Sequence, residues 1–217
     1  MNQNKIIEET ILFVEKKLSQ YDSSHDFWHT CRVWNNAKKI AAKEGGDVFV
    51  IELASLLHDI ADAKYHNGDE NIGPKMASDF LAGLNVDPMD NYHISNIIYN
   101  ISFKGGTEKE EWESLELDVV QDADRLDAIG AIGIARTFNY GGFNNRPIYD
   151  PEIKPKKYKN KKEYRNSDSP TINHFYEKLL LLKDLMNTAT AKEMAEERHL
   201  FMEVYLERFF DEWEGRG

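Results

Sequence analysis

A chain of 217 residues with 41% apolar and 12% aromatic side chains can build a real core, which excludes a disordered chain and fits one domain. Its 38 acidic residues outnumber 27 basic ones, so the net charge of −11 gives no general attraction for phosphate backbones and argues against nucleic acid as a partner. No apolar run approaches the ~18 residues of a membrane span, and the start MNQNKIIEET lacks an apolar signal segment, so no membrane partner and a cytoplasmic location are expected.

Ile7, Ile11, Val14 and Leu18 recur at helical spacing and predict an opening amphipathic helix. Val33, Ala37, Ile40 and Ala41 form the stripe of a second, beginning at His29 and stopped by Gly45 and Gly46. Val50, Leu53, Leu57 and Ile60 mark a third. Asp87 before Pro88 reads as a cap with proline in the first turn, opening a helix through Ile94, Ile97, Ile98 and Ile101 that Gly105 and Gly106 end. One further helical stretch covers roughly Trp112 to Phe138, where Gly130 and Gly133 suggest close helix packing. His174 to Met186 reads as a helix that buries the run Leu179 to Leu182. Thr190 and Glu193 have the spacing of a capping box for a last helix, whose apolar face is Ala195, Met202, Leu206, Phe209 and Trp213.

No alternating strand pattern is present, and the expected architecture is all-α, a single domain over 1–217. Within it, 141–170 is expected to be a long irregular loop. That stretch holds four of the six prolines, and from Ile153 to Arg165 it carries seven basic residues against Glu163 alone. A loop of this length in a compact domain is usually functional, and its charge suggests a cover for a bound triphosphate.

The single cysteine, Cys31, rules out a thiolate cluster, so any metal must be held by histidines and carboxylates. Candidates are spread over three predicted helices: His29 in HDFWHTCRV, His58 and Asp59 in LASLLHDIADAK, and Asp124 in VVQDADRLDAIG. Two imidazoles and two carboxylates suit Mn, Fe, Zn or Mg. Leu56, Leu57, Ile60 and Ala61 surround His58 and Asp59, so these polar side chains would be costly there unless coordinated or hydrogen-bonded.

The blocks HDFWHxxRV, HDIADAK, ISFKGG, DADRLDAIGAIGIARTF, HFYEKLLLL and AEER extend over nearly the whole chain. Together they resemble the HD-domain metal-dependent phosphohydrolase superfamily, in its stand-alone bacterial YpgQ/YedJ-like branch. The resemblance implies a helical-bundle HD domain in which His29, His58, Asp59 and Asp124 bind one divalent ion. Manganese is the expected metal, with Mg, Fe, Zn, Ni or Co as alternatives. It also implies hydrolysis of nucleoside triphosphates, in the ribo or deoxy form, to monophosphate and pyrophosphate, with a small-molecule nucleotide as partner. His66 and His93 are the only histidines between the His58–Asp59 pair and Asp124, and neither falls in a second-site motif, so a mononuclear centre is expected.

Asp62, four residues after His58 and hence on the same helix face, is the candidate general base. Charge builds on phosphoryl oxygens during transfer, so cations are needed. Lys64 and Arg125 are assigned catalytic roles, and Lys104, His174 and Lys178 are assigned to the substrate. His25, four residues before His29, is grouped with these contacts. Arg32, Arg136 and Arg198 are expected in internal ion pairs, Trp28 and Phe138 in the core, and His199 on a helix surface. Phe201, Tyr205, Phe209, Phe210 and Trp213 read as core or dimer contacts, which leaves a homodimer open. The alternatives to a triphosphate pyrophosphohydrolase are a nucleoside monophosphate phosphatase, a guanosine tetraphosphate hydrolase and a non-catalytic metal or nucleotide sensor.

Overall fold

The computed structural model describes residues 1–19, 26–61, 69, 71–101, 112–157 and 169–216. Among them there are helices and no strand, so the chain is all-α. The helices are α1 (Gln3–Leu18), α2 (Phe27–Glu44), α3 (Val48–Leu57), α4 (Ile72–Gly83), α5 (Pro88–Asn100), α6 (Leu115–Asp127), α7 (Gly130–Phe143), α8 (Asn173–Glu177), a 3-10 helix (Leu179–Leu185) and α9 (Ala189–Trp213). They fall into two compact units, Met1–Asp124 and Arg125–Gly217. None of the helices is long and apolar enough to cross a membrane.

In the N-terminal unit α3 is the central element. Eight of its ten residues, Phe49 to Ile51 and Leu53 to Leu57, are buried, so it is apolar nearly all round and must be wrapped by other helices. α1, α2 and α5 supply that wrapping, and α4 packs on α5. Asp47 caps α3 by accepting from the Phe49 and Val50 amides at 2.9 and 3.1 Å. Asp87 caps α5 in the same way, accepting from Met89 N at 2.8 Å, with Pro88 in the first turn as its fixed φ allows. α1 turns a slightly different face inward than its aliphatic stripe suggests. Ile6, Thr10, Val14 and Leu18 are buried, and the Thr10 hydroxyl is neutralised by donating to the Ile6 carbonyl at 2.7 Å.

α4 has no counterpart in the sequence reading. Gly73 and Pro74 look like breakers, yet proline in a first turn lacks only a hydrogen bond that the turn would not make. The stretch predicted from Trp112 to Phe138 is two helices. The chain breaks at Ala128 and Ile129, and Gly130 takes φ +75°, a conformation open to glycine and strained for other residues. α5 ends at Asn100, before the predicted stop at Gly105 and Gly106, which lie outside the described residues.

In the C-terminal unit α9 packs on α7 and on the 3-10 helix. Its cap is Thr188, whose Oγ1 accepts from Ala191 N at 3.2 Å, so the cap lies two residues before Thr190 of the Thr190–Glu193 pair expected to open the helix. The single helix predicted from His174 to Met186 is instead a short α-helical turn and a 3-10 helix, with the change at Lys178 (φ −144°, ψ −57°). Leu179 and Leu182, three apart, are buried while Leu181 is exposed, a pattern that the three-residue turn accommodates. α7 runs through Phe143, so the first three residues of the expected 141–170 loop are helical. Among the described residues of the remainder there are turns, bends and irregular chain, and 158–168 of the basic stretch lie outside the described residues.

Candidate metal centre

His58 emerges where the buried α3 ends, its backbone still right-handed helical at φ −58° and ψ −30°. The chain then tightens, with Ile60 N donating to the Leu57 carbonyl at 3.4 Å. The expected continuation of the helix through Asp59 therefore gives way to a turn, and the face-sharing argument for Asp62 loses its helix. Asp62 itself lies outside the described residues, as do His25, Lys64 and Lys104.

His29 sits in the first turn of α2, where Asp26 caps the helix by accepting from His29 N at 2.8 Å. Seven residues on, and so on the same helix face, Asn36 donates from Nδ2 to the Ala123 carbonyl at 3.4 Å, next to Asp124. Two helices are thereby tied at the level of the candidate ligands.

One donor atom each from His29, His58 and Asp59 lies within 4.8 Å of the other two. His29 Nε2 is 3.8 Å from Asp59 Oδ2, and His58 Nε2 is 4.0 Å from the same oxygen. Asp124 falls outside the three-residue set but brings Oδ1 to 3.5 Å from His29 Nε2. Donors ~2.1 Å from a common cation stand about 3 to 4 Å apart, so these separations are of the right size for a shared ion. The two imidazoles meet edge to face, with centroids 5.3 Å apart. Their side chains are only 3% and 4% exposed, against 23% for Asp59 and 41% for Asp124, so the group opens to solvent on its carboxylate side.

The state of His58 tests whether the group suits a metal. Its Nδ1 is 2.8 Å from the Ser55 carbonyl, which can only accept, so that nitrogen carries the proton and Nε2 presents a lone pair. Nε2 is buried and has no hydrogen-bond partner among the described residues. A buried acceptor left in this way is costly, and ligation removes the cost. The end of α3 adds the negative pole of a helix dipole, which favours a cation. The residues present fit a divalent ion.

The other site candidates lie in the C-terminal unit. Arg125 donates from Nη1 to the Leu185 carbonyl at the end of the 3-10 helix. His174 and Lys178 are both half-buried, with Lys178 N donating to the His174 carbonyl at 3.0 Å. The side chains packed around the His174 ring, then the positive charges of Lys178 and Arg146, push its pKa from 6.5 down to about 3, so it is neutral near pH 7.

Several bystander assignments are settled. Arg136 makes the internal ion pair expected of it, with Asp127 at 2.7 Å, whereas the bond from Arg198 goes to a backbone carbonyl, that of Leu126; both brace the end of α6. Phe138 is in an aromatic cluster with Phe175 and Tyr205. Trp28, expected in the core, is 66% exposed, because its neighbour His29 takes the inward direction and successive helical residues diverge. His199, expected on the surface, is buried, since Ala195, His199, Met202 and Leu206 share one face of α9. The scaffold contacts of Asn36 and the Ser55 carbonyl escaped sequence reasoning. Asp26 ahead of an apolar-periodic helix was a usable cap signal.

The HD domain family model matches residues 27–129. The uncharacterized protein YpgQ of Bacillus subtilis (strain 168) is 37% identical over 203 residues, covering 93% of this chain and 91% of YpgQ. The crystal structure of an HD-superfamily hydrolase from Bacillus thuringiensis is 46% identical and superposes with a TM-score of 0.79, covering 98% of this chain and 99% of that one. The crystal structure of Bacillus subtilis YpgQ in complex with ADP superposes with a TM-score of 0.77 at 33% identity, covering 98% and 96% of the two chains. Taken with the helical architecture and the histidine–aspartate group at the end of α3, these likenesses show that the chain belongs to the metal-dependent hydrolases of the HD superfamily, in the branch that contains YpgQ.

Proposed function

We propose that this chain hydrolyses nucleoside triphosphates, ribo or deoxy, to monophosphate and pyrophosphate, using one divalent ion held by His29, His58, Asp59 and Asp124. The observation that carries the metal assignment is the buried, unpartnered Nε2 of His58, whose tautomer the Ser55 carbonyl fixes. When bound, such an ion supplies Lewis acidity toward water and toward a phosphoryl oxygen. Manganese is the metal proposed.

The chain's own residues do the remaining work. His29 and His58 hold their rings in place from buried positions, and Asp59 and Asp124 bring negative charge to the solvent-facing side, where a water and a phosphate ester would enter. Asp62, three residues beyond Asp59 in sequence, is proposed to accept the proton of the attacking water. Lys64, Lys104 and Arg125 are proposed to offset charge on the phosphoryl oxygens, and His25, His174 and Lys178 to contact substrate. A neutral His174 can donate one hydrogen bond to a phosphate oxygen. That Bacillus subtilis YpgQ forms a complex with ADP supports a nucleotide ligand carrying a phosphate chain.

The test is a nucleotide panel with Mn²⁺ and product identification. Pyrophosphate with nucleoside monophosphate supports the proposal. Orthophosphate with nucleoside points to a monophosphatase, and no product above the metal blank points to a sensor.

A further inference from the structure

Trp28 directly precedes the candidate ligand His29 and is 66% exposed, an unusual state for a side chain whose large apolar body normally ends in a core or against a partner. Its place around α2 follows from two contacts. Trp34 Nε1 donates to Glu52 of α3 at 2.7 Å, so α3 lies on the Trp34 side of the helix. Asn36 donates to the Ala123 carbonyl, so α6 lies on the Asn36 side. At about 100° per residue, His29 stands about 20° from Asn36, whereas Trp28 stands about 80° from Asn36 and about 120° from Trp34. Trp28 is therefore turned away from α3 and lies on the α6 flank, at the same end of α2 as His29. From that flank Asp124, with a side chain 41% exposed, brings Oδ1 to 3.5 Å from His29 Nε2. The half-buried Phe27 ring supports the indole from one side, with centroids 5.7 Å apart and planes at 57°.

We propose that Trp28 binds the base of the nucleotide by stacking on it. The inference rests on the reading of the chain as a nucleoside triphosphate pyrophosphohydrolase and adds to it the residue that holds the nucleoside. Cleavage between the first and second phosphorus atoms puts the α-phosphate beside His29, His58, Asp59 and Asp124, and the base is then one sugar away. Consecutive Cα atoms are ~3.8 Å apart, so the side chain adjoining a ligand in sequence is within that span. Core packing does not account for Trp28, whose ring is mostly in solvent. An indole offers a broad, rigid π-face with only two rotatable bonds, so ordering it against a base costs little entropy. Every base has a π-face, so such a contact accepts purines and pyrimidines alike and favours the larger purines. Base preference at this position is then a matter of stacking area, not of a hydrogen-bond pattern.

The experiment is calorimetry on the full chain with Mn²⁺, titrated with ADP and separately with pyrophosphate, which carries two phosphoryl groups but no base or sugar. Trp28→Ala should weaken ADP about ten-fold, the loss of one stacked base, and leave pyrophosphate within about two-fold of the wild type. Trp28→Phe keeps an aromatic face and should fall between the two. Quenching of tryptophan fluorescence by ADP should also drop in Trp28→Phe, where Trp34, Trp112 and Trp213 remain. An ADP affinity unchanged in Trp28→Ala overturns the role of Trp28 and leaves the nucleotide reading standing. An equal loss for ADP and pyrophosphate overturns it too, because the residue would then support the phosphate end and not the base. A wild type that binds neither compound overturns the nucleotide reading and the base contact together. Thermal melting identifies a folding defect in Trp28→Ala, in which case Trp28→Leu against Trp28→Phe carries the comparison: tighter ADP binding by the aromatic variant supports stacking, and equal binding overturns it.

Discussion

His58 concentrates the argument for metal binding into one side chain. Its ring is fixed at Nδ1 by a backbone carbonyl and left bare at Nε2, so substitution should separate metal binding from folding. His58→Ala is expected to abolish stoichiometric Mn²⁺ uptake, measured by calorimetry, and to lower kcat by about three orders of magnitude, the ~4 kcal/mol that Lewis-acid help commonly supplies. Stoichiometric uptake by the variant would count against the assignment. Glycines give a second residue-level prediction. A Cβ on Gly133 would lie 2.2 Å from the Ala128 carbonyl oxygen, backbone that cannot step aside, whereas a Cβ on Gly83 would meet nothing within 4 Å. Gly133→Ala should therefore destabilise by about 3 kcal/mol, and Gly83→Ala should stabilise by about 0.5 kcal/mol, both read from urea unfolding. Equal effects would contradict the described packing.

At the level of elements, helices with a clean aliphatic stripe were legible, and those whose limits depend on backbone detail were not. α2 and α5 announce themselves through Val33–Ala41 and Ile94–Ile101. α4 does not, because its inward residues include Gly73 and Ala77, which carry little hydrophobic signal. The break between α6 and α7 depends on the positive φ of Gly130 and on Arg198, whose side chain lies 3.0 Å from where a Cβ at that glycine would be, a contact distant in sequence. The candidate site was legible in its residue types, since two imidazoles and two carboxylates leave a pattern. Its supports were hidden, because the Ser55 and Ala123 carbonyls that receive His58 and Asn36 belong to every residue alike. The start of α9 offers a direct test. Thr188→Ala should cost about 1 kcal/mol in urea unfolding, the usual loss of an N-cap, and restoring Ser at 188 should recover most of it. A negligible effect would move the cap back toward Thr190.

For the molecule as a whole, acid stability carries a signature of the C-terminal unit. His174 has its pKa pushed from 6.5 to about 3, burial being the largest cause and Lys178 and Arg146 adding to it. Between those values the unfolded chain binds a proton that the folded chain refuses. Stability must then rise with pH across this window and be lost as pH falls from about 6.5 toward 3. The 38 acidic side chains titrate in part of the same range, so the bare pH curve mixes many groups. A His174→Gln variant keeps those carboxylates and removes one titration, and the difference between the two curves isolates it. Because the chain forms two compact units, hydrogen exchange of buried α9 amides is the appropriate probe, since it reports opening of the unit that contains His174. The wild type should lose protection relative to the variant by a few kcal/mol on going from pH 7 to pH 4. Parallel protection curves would show that His174 titrates alike in folded and unfolded chains, and its burial would then exert no control over it.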